Sequence, residues 1–295
     1  TTIRNPTIYV CEGEWHESLT IDESVSLISI DGAEKTILDA DGSGPVITIN
    51  SGTVTVDGFT ITDGIGQAFF ADTLYGGGVI LNYGSLTLRS SIVTGNSASL
   101  AGGVFANIDS ASLNIEDSFI EGNEATDYCG GLFSYAPLTL SNTVVSGNTS
   151  DYCGGLGAYT TAVIIDGSTI ENNIAASDGG GIYVLYSDVS FIDSTLTGNE
   201  TDLNGGAAYL IGGSLTCSGT HSISGNVADN KGGALFLDGA QLSSCEITDN
   251  TAYYGGGVAA EIDEYNAAQQ IDDCTIEENT AITWGGGVYT SGTNL

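Results

Sequence analysis

The sequence predicts an all-β chain wound into a parallel β-helix of about eleven coils, each contributing three short strands. Three observations carry this. A Gly-Gly pair followed by an apolar residue recurs every 24 to 30 residues, the apolar member being Val79, Val104, Leu132, Leu156, Ile182, Ala207, Ala234, Val258 and Val288. Between successive pairs an apolar residue stands three before an Asn, as in Val93/Asn96, Ile120/Asn123 and Val145/Asn148. A third segment alternates apolar and polar residues, as in Leu86-Thr87-Leu88, Leu113-Asn114-Ile115 and Val189-Ser190-Phe191. Alternation over so few residues is a strand signal, and no window holds a helical pattern over ten residues.

One such coil cannot bury its apolar face alone, so coils must stack. The Gly pair opens each coil, because glycine admits the left-handed or tightly turned backbone that a corner requires. The apolar residue after it begins the first strand. The alternating segment forms the second, and the apolar-x-x-Asn segment forms the third. An amide carries both donor and acceptor, so Asn96, Asn123, Asn148, Asn173, Asn199, Asn226, Asn250 and Asn279, stacked ~4.8 Å apart, can bond one to the next. Asn148 and Asn199 also begin glycosylation sequons, but modification there would destroy the ladder and is rejected. Residues 1–75 read as the same solenoid with a degraded repeat, and 63–75 break the period and are expected to protrude as a loop. The whole chain, 1–295, reads as one domain, with regular repeats over 76–295.

Composition excludes several functions. The chain has 295 residues, 37 Asp+Glu against 4 Lys+Arg, and a net charge of −33. Glycine fills 43 positions, about twice its usual share of roughly 7%. Four scattered cations cannot neutralise a run of phosphates, so no nucleic-acid partner is expected, nor an anionic membrane surface. No apolar run approaches the ~20 residues of a membrane-spanning helix, so no membrane insertion is expected. The 41% apolar content argues against a disordered chain. The chain opens on Thr1 without a leader pattern and is expected to be processed or a fragment.

Six Cys, none in a C-x-x-C pair, in a very acidic chain without Met point to an exported, oxidising setting. Cys129 and Cys153 each directly precede a Gly pair, and Cys245 and Cys274 each lie five before a ladder Asn. Equivalent positions in neighbouring coils suit a disulfide, so Cys129–Cys153 and Cys245–Cys274 are the expected bonds. Cys11 and Cys217 have no aligned partner and are expected to be free.

The Gly-Gly-[Val/Leu/Ile/Ala] turns alternating with apolar-x-x-Asn resemble the polymorphic outer-membrane-protein repeat of bacterial surface proteins. The opening, from Val10-Cys11-Glu12-Gly13 through Leu19-Thr20-Ile21 to Thr36-Ile37-Leu38-Asp39, resembles the start of pectate-lyase-like right-handed β-helix domains. These resemblances cover nearly the whole chain and imply a right-handed coil. They also imply a secreted or surface-displayed protein, several such proteins being adhesins. The motif carries Val, Ile or Leu where the family often has Phe.

Candidate sites are few. Lyases on this fold resemble one another in using Asp-bound calcium with an Arg or Lys, whereas Arg4, Lys35, Arg89 and Lys231 form no cluster here. Asp272 and Asp273 are adjacent on a strand and point to opposite faces. His16 and His221 read as turn or packing residues. Trp15, Trp284, Tyr75, Tyr128, Tyr152, Tyr253 and Tyr254 read either as a sugar-stacking surface or as packing between coils, the latter weighted higher. Asp127, Asp151, Asp202 and Asp229 sit three before a Gly pair, with Asp178 displaced by one. Like charges along one corner recruit cations, so weak calcium sites are expected there, and no other cofactor is required. The reading is a secreted or cell-surface, non-catalytic structural or adhesive β-solenoid. Its expected partners are itself, head-to-tail in a filament, or other surface proteins and glycans. The alternative is a polysaccharide-binding or lyase-like protein on the same fold.

Overall fold

Alternating strands each have one apolar face to hide, and the chain hides them by winding about a common axis. The computed structural model describes residues 5–70, 73–262 and 269–292. Among the described residues the strands stack into three sheets of eleven strands and one of ten. The turn sheet follows each Gly corner, as in Val79–Leu81, Val104–Ala106 and Leu132–Ser134. The alternating sheet comes next, as in Ser85–Arg89 and Ser112–Glu116. The ladder sheet precedes the Asn, as in Ile92–Thr94 and Phe119–Glu121. Pairing between coils is parallel and in register, Leu86 to Leu113 to Leu138 to Val163. Side chains from these three sheets form one continuous core that includes Val79, Leu88, Val93, Leu132, Ile165 and Leu235.

The fourth, short sheet is not among the three predicted strands. It follows the Asn, as in Ser97–Leu100 and Glu124–Tyr128. Its inward residues are mostly alanine, the buried Ala98, Ala125, Ala175, Ala228 and Ala252, with Ser150 and Thr201 at the equivalent positions of two coils. Alanine is a poor strand former, so the alternation there leaves almost no signal. The expected loop at 63–75 contains an antiparallel pair, Gln67–Phe70 with Thr73–Tyr75, attached to the edge of the short sheet through Tyr75 and Leu100. Residues 71 and 72 lie outside the described residues.

The Gly corner is a three-residue turn. Its first residue adopts positive φ in nine coils: Gly76, Ala101, Cys129, Cys153, Gly179, Gly205, Gly232, Gly255 and Gly285. The left-handed residue therefore stands before the Gly pair in several coils, not within it. The next two positions need glycine for a different reason, since a Cβ on Gly131 would lie 2.5 Å from the Gly155 carbonyl oxygen of the next coil. In two coils the Gly pair fills the first two turn positions. Ala207 and Ala234 are then the third turn residue, and the strand register places Ala208 and Leu235 where Ile182 and Val258 stand.

The Asn column is buried from Asn96 to Asn250. Asn123 Nδ2 donates to Asn148 Oδ1 at 3.0 Å and to the Val93 carbonyl at 2.9 Å, and its Oδ1 accepts from the Asn96 backbone N–H at 3.1 Å and Nδ2 at 3.0 Å. The same side-chain bonds run on through Asn173, Asn199, Asn226, Asn250 and Asn279 at 2.9–3.0 Å. A second column, five residues earlier, holds Ser91, Ser118, Thr143, Ser168 and Ser194. Here a hydroxyl accepts a backbone N–H from the previous coil, as in Ser91 N to Ser118 Oγ at 3.1 Å, and donates to its own coil, as in Ser118 Oγ to the Glu116 carbonyl at 2.7 Å. His221 occupies this column. Its Nε2 accepts from the Glu246 N–H at 3.1 Å, so its Nδ1 carries the proton donated to the Gly219 carbonyl at 3.1 Å.

Cys245 and Cys274 also stand in this column, and they do not bond to each other. The disulfide joins Cys245 to Cys217, with Cα atoms 5.0 Å apart. Cys217 takes the inward position that Phe191 holds one coil earlier, which aims its sulfur at the corner. Cys274 instead replaces the corner hydroxyl, accepting the Cys245 N–H at 3.4 Å and donating to the Asp272 carbonyl at 3.3 Å. Cys217, expected to be free, is therefore bonded. The expected Cys129–Cys153 bond is absent: both are buried free thiols, as Cys11 and Cys274 are free. The Cys129 sulfur packs over Gly157, where a Cβ would lie 2.2 Å away, and burial with the Cys153 thiol beside it raises its pKa well above the ordinary range.

Two outcomes are expected from this architecture. Asn148→Ala orphans three groups, the Asn123 backbone N–H, one N–H of the Asn123 side-chain amide and the Ile120 carbonyl, so it should lower stability by about 3 kcal/mol or more at ~1–3 kcal/mol per buried group. Asn279→Ala, at a half-buried position, should cost less in the same urea titration, and equal losses would count against the ladder. Peptide mapping without reductant should recover the Cys217–Cys245 crosslink, and Cys217→Ser should lower stability by about 3–4 kcal/mol through loss of a loop constraint spanning 28 residues.

Candidate functional site

Because strand residues alternate, the residue after each turn-sheet anchor faces outward. In register these residues are Ile80, Phe105, Phe133, Gly157, Tyr183, Tyr209 and Phe236. A column of large apolar side chains thus stands outside the solenoid. The left-handed corner folds the ends of the short sheet over it, which makes a second apolar cluster in which Ala101, Cys129 and Cys153 are buried beside Phe105, Phe133 and Tyr183.

The rings stack from coil to coil. Tyr183 and Tyr209 are parallel at 5.2 Å, Tyr209 and Phe236 at 4.7 Å, and Tyr128 and Tyr152 at 5.1 Å. A second outward column, two residues later, runs Asn50, Asn82, Asn107, Tyr135 and Tyr159. Tyr135 meets Phe105, Phe133 and Tyr159 edge-on at 6.2, 5.1 and 5.7 Å. Burial, with the Asp178 carboxylate next in effect, pushes the Tyr183 and Tyr209 phenols well above their ordinary range, so both are neutral at any physiological pH. The outer rim stays open to solvent, Tyr83 being 55%, Tyr159 40% and Tyr186 59% exposed.

The amide end of this column is a ladder. Asn50 Nδ2 donates to Asp22 Oδ1 at 2.8 Å, Asn82 Nδ2 to Asn50 Oδ1 at 2.9 Å, and Asn107 Nδ2 to Asn82 Oδ1 at 3.3 Å. With Tyr75, Phe105 and Tyr135 as its other wall, the ladder lines a groove of about 600 Å³.

Of the aromatics singled out in the sequence, Tyr75, Tyr128 and Tyr152 join this face. Tyr253, Tyr254 and Trp284 form a separate group with Tyr289, Tyr254 lying 5.0 Å from Tyr289 and 5.7 Å from Trp284. Trp15 lies at the other end, beside Ile8, Leu19 and Leu38. The outward column was missed although it was legible: Phe105, Phe133 and Tyr183 each directly follow the apolar anchor. It was obscured by the one-residue offset of Ala207 and Ala234, which displaces Tyr209 and Phe236 in any alignment on the Gly pairs.

The acidic corner intersperses its carboxylates with neutral groups. Asp127, Asp151, Asp202 and Asp229 are exposed and Asp178 is half-buried, with neutral groups between them. Ser177 Oγ donates to Asp151 Oδ1 at 3.0 Å, and Asn204 donates to Asp178 Oδ1 through its backbone at 3.2 Å and its amide at 2.8 Å. Burial raises the Asp178 carboxyl pKa and the Asn204 donors pull it back. Among the described residues, no three of these five converge as cation ligands. Glu14, His16 and Asp39 do, with ligand atoms within 4.8 Å of one another, because the strands Gly13–His16 and Thr36–Asp39 pair His16 with Asp39. A carboxylate–imidazole set of this kind suits a divalent transition metal better than calcium. Lys35, Arg89 and Lys231 each pair with an acid, Glu12, Glu116 and Glu261, so no cationic cluster faces solvent among them; Arg4 lies outside the described residues.

Comparison with known proteins agrees with the architecture. The family model described as the Chlamydia polymorphic membrane protein repeat matches residues 167–185 and 273–291, each spanning an apolar-x-x-Asn segment and the Gly turn after it. No curated protein matches the sequence. Among solved structures, the A-module of the mannuronan C-5 epimerase AlgE6 of Azotobacter vinelandii is similar at a TM-score of 0.50 and 14% identity, over 98% of this chain and 90% of that one. At that identity the likeness shows the fold alone: the chain is a parallel β-helix, and two of its segments match the repeat model.

Proposed function

We propose that this chain is a cell-surface β-helix that acts without catalysis and makes adhesive contact through the outer face of its turn sheet. The observation that carries the reading is the exposed aromatic rim of that face, Tyr83, Tyr159 and Tyr186, which borders a largely buried column in which Tyr183, Tyr209 and Phe236 stack over successive coils. Aromatic rings that keep one side dry and one side wet are suited to contact surfaces, since they add area with little side-chain entropy to lose. Similarity to a repeat named for membrane proteins supports a place at the cell surface. A rigid solenoid holds such rings in fixed relative positions, which lowers the ordering cost of binding.

Latex beads coated with the purified chain should be retained on mucin- or collagen-coated glass under flow. Tyr159→Ser with Tyr186→Ser should lower the affinity of retention by about threefold or more while leaving the melting temperature unchanged. Equal retention by the double variant, or release of unsaturated or reducing-end sugar from a polysaccharide panel, would overturn this reading.

A further inference from the structure

The groove over the first regular coils has a chemistry distinct from the rest of the aromatic face. We infer that it is a binding site for a linear, neutral glycan chain lying along the solenoid axis; this rests on the reading of the turn-sheet face as a contact surface.

Its floor is the ladder Asn50–Asn82–Asn107. An Asn amide has two N–H donors and two acceptor lone pairs. The ladder uses one N–H of each amide and one lone pair of Asn50 and Asn82. A further donor and acceptor per coil therefore remain for a ligand, which is the pairing a sugar hydroxyl requires. One wall is built from Tyr75 and Tyr135, backed by the fully buried Phe105, with the Tyr75 and Phe105 rings 5.2 Å apart and tilted by 46°. Tyr83 stands at the rim, 55% exposed. The groove therefore offers aromatic faces beside repeated amides, in a volume of about 600 Å³ that lies within the range of small-ligand sites.

Charge selects among glycans. No charged residue lines the groove, yet the chain carries −33, and Asp22 terminates the ladder. A uronate or sialylated chain would meet repulsion with no cation to offset it, while a neutral chain is indifferent to the field. Spacing favours a polymer over a single sugar. Successive amides recur at the coil rise of ~4.8 Å, close to the length of one pyranose unit, so consecutive sugars of a linear chain would lie over consecutive coils. A peptide is the weaker fit, because the sheet presents side chains here and no free strand edge for main-chain pairing.

Isothermal titration of the whole chain with cellohexaose, mannohexaose and chitohexaose, and with a hexameric uronate, tests this. At least one neutral hexamer should bind with a submillimolar dissociation constant, and the uronate should bind more weakly. Tyr83→Ala and Asn107→Ala, both at exposed positions, should each weaken binding by about tenfold, and Phe119→Ser on the ladder sheet should leave it unchanged. Absence of binding by all three neutral hexamers, uronate binding of equal strength, or indifference to both groove variants would each overturn the inference. Bead retention that survives in the absence of glycan binding would remove the glycan site alone. Glycan binding without bead retention would instead retain the site and remove the adhesive role.

Discussion

The structure depends on a constraint at one corner of the coil: a polar group buried in every repeat must find its partners in the coils above and below. Asn meets it because its amide donates twice and accepts twice in the geometry that parallel stacking provides. Asn148 Nδ2 reaches both the Asn173 Oδ1 and the Ile120 carbonyl, at 3.0 and 2.9 Å. Aspartate would bring a buried charge into the column, and leucine would orphan three groups at once. The ladder fixes register, since a slip of one residue would strand every amide. The apolar core is more forgiving, accepting Val, Ile, Leu, Phe and even a disulfide at equivalent positions.

Fixed register has a consequence on the outer surface. Once each coil lies directly over the last, any residue type repeated at one outward position becomes a continuous column. The turn sheet turns this into an aromatic stripe, and the same principle makes the outer amide ladder at Asn50, Asn82 and Asn107. The left-handed turn residue matters here as much as the Gly pair. By folding the short sheet back, it lets Leu100, Tyr128 and Tyr152 cover the base of the stripe while the rim stays wet.

Stacking also concentrates charge, and 37 acids on a solenoid would repel along every column they shared. Neutral residues interrupt those columns. Asn204 and Asn230 follow Asp178 as a short chain of amides, Asn230 Nδ2 donating to Asn204 Oδ1 at 3.0 Å. Arg89 lies directly opposite Glu116 in the next coil, 2.9 Å from its carboxylate, which turns a cross-strand neighbour into an ion pair. Such exposed pairs stabilise little individually, but here they replace like-charge contacts.

How much of this was legible follows from what each feature leaves in a linear pattern. Periodicity of Gly pairs, alternating strands and Asn determined the winding, the number of coils and the ladder, because each reports a requirement that recurs in every coil. The short sheet left no such trace, since its inward positions are filled mostly by alanine, with Ser150 and Thr201 in two coils. The disulfide escaped for a related reason: sequence alignment compares equivalent positions, whereas Cys217 and Cys245 bond from non-equivalent positions that a corner brings face to face. The grouping of Asn50, Asn82 and Asn107 with Tyr75, Phe105 and Tyr135 into one groove likewise came only with the tertiary structure. By itself the sequence determined the coil and the contacts each coil repeats. Which outward side chains share a surface was decided by the stacking register and by the left-handed corner, because those set the direction of every side chain that the core does not claim.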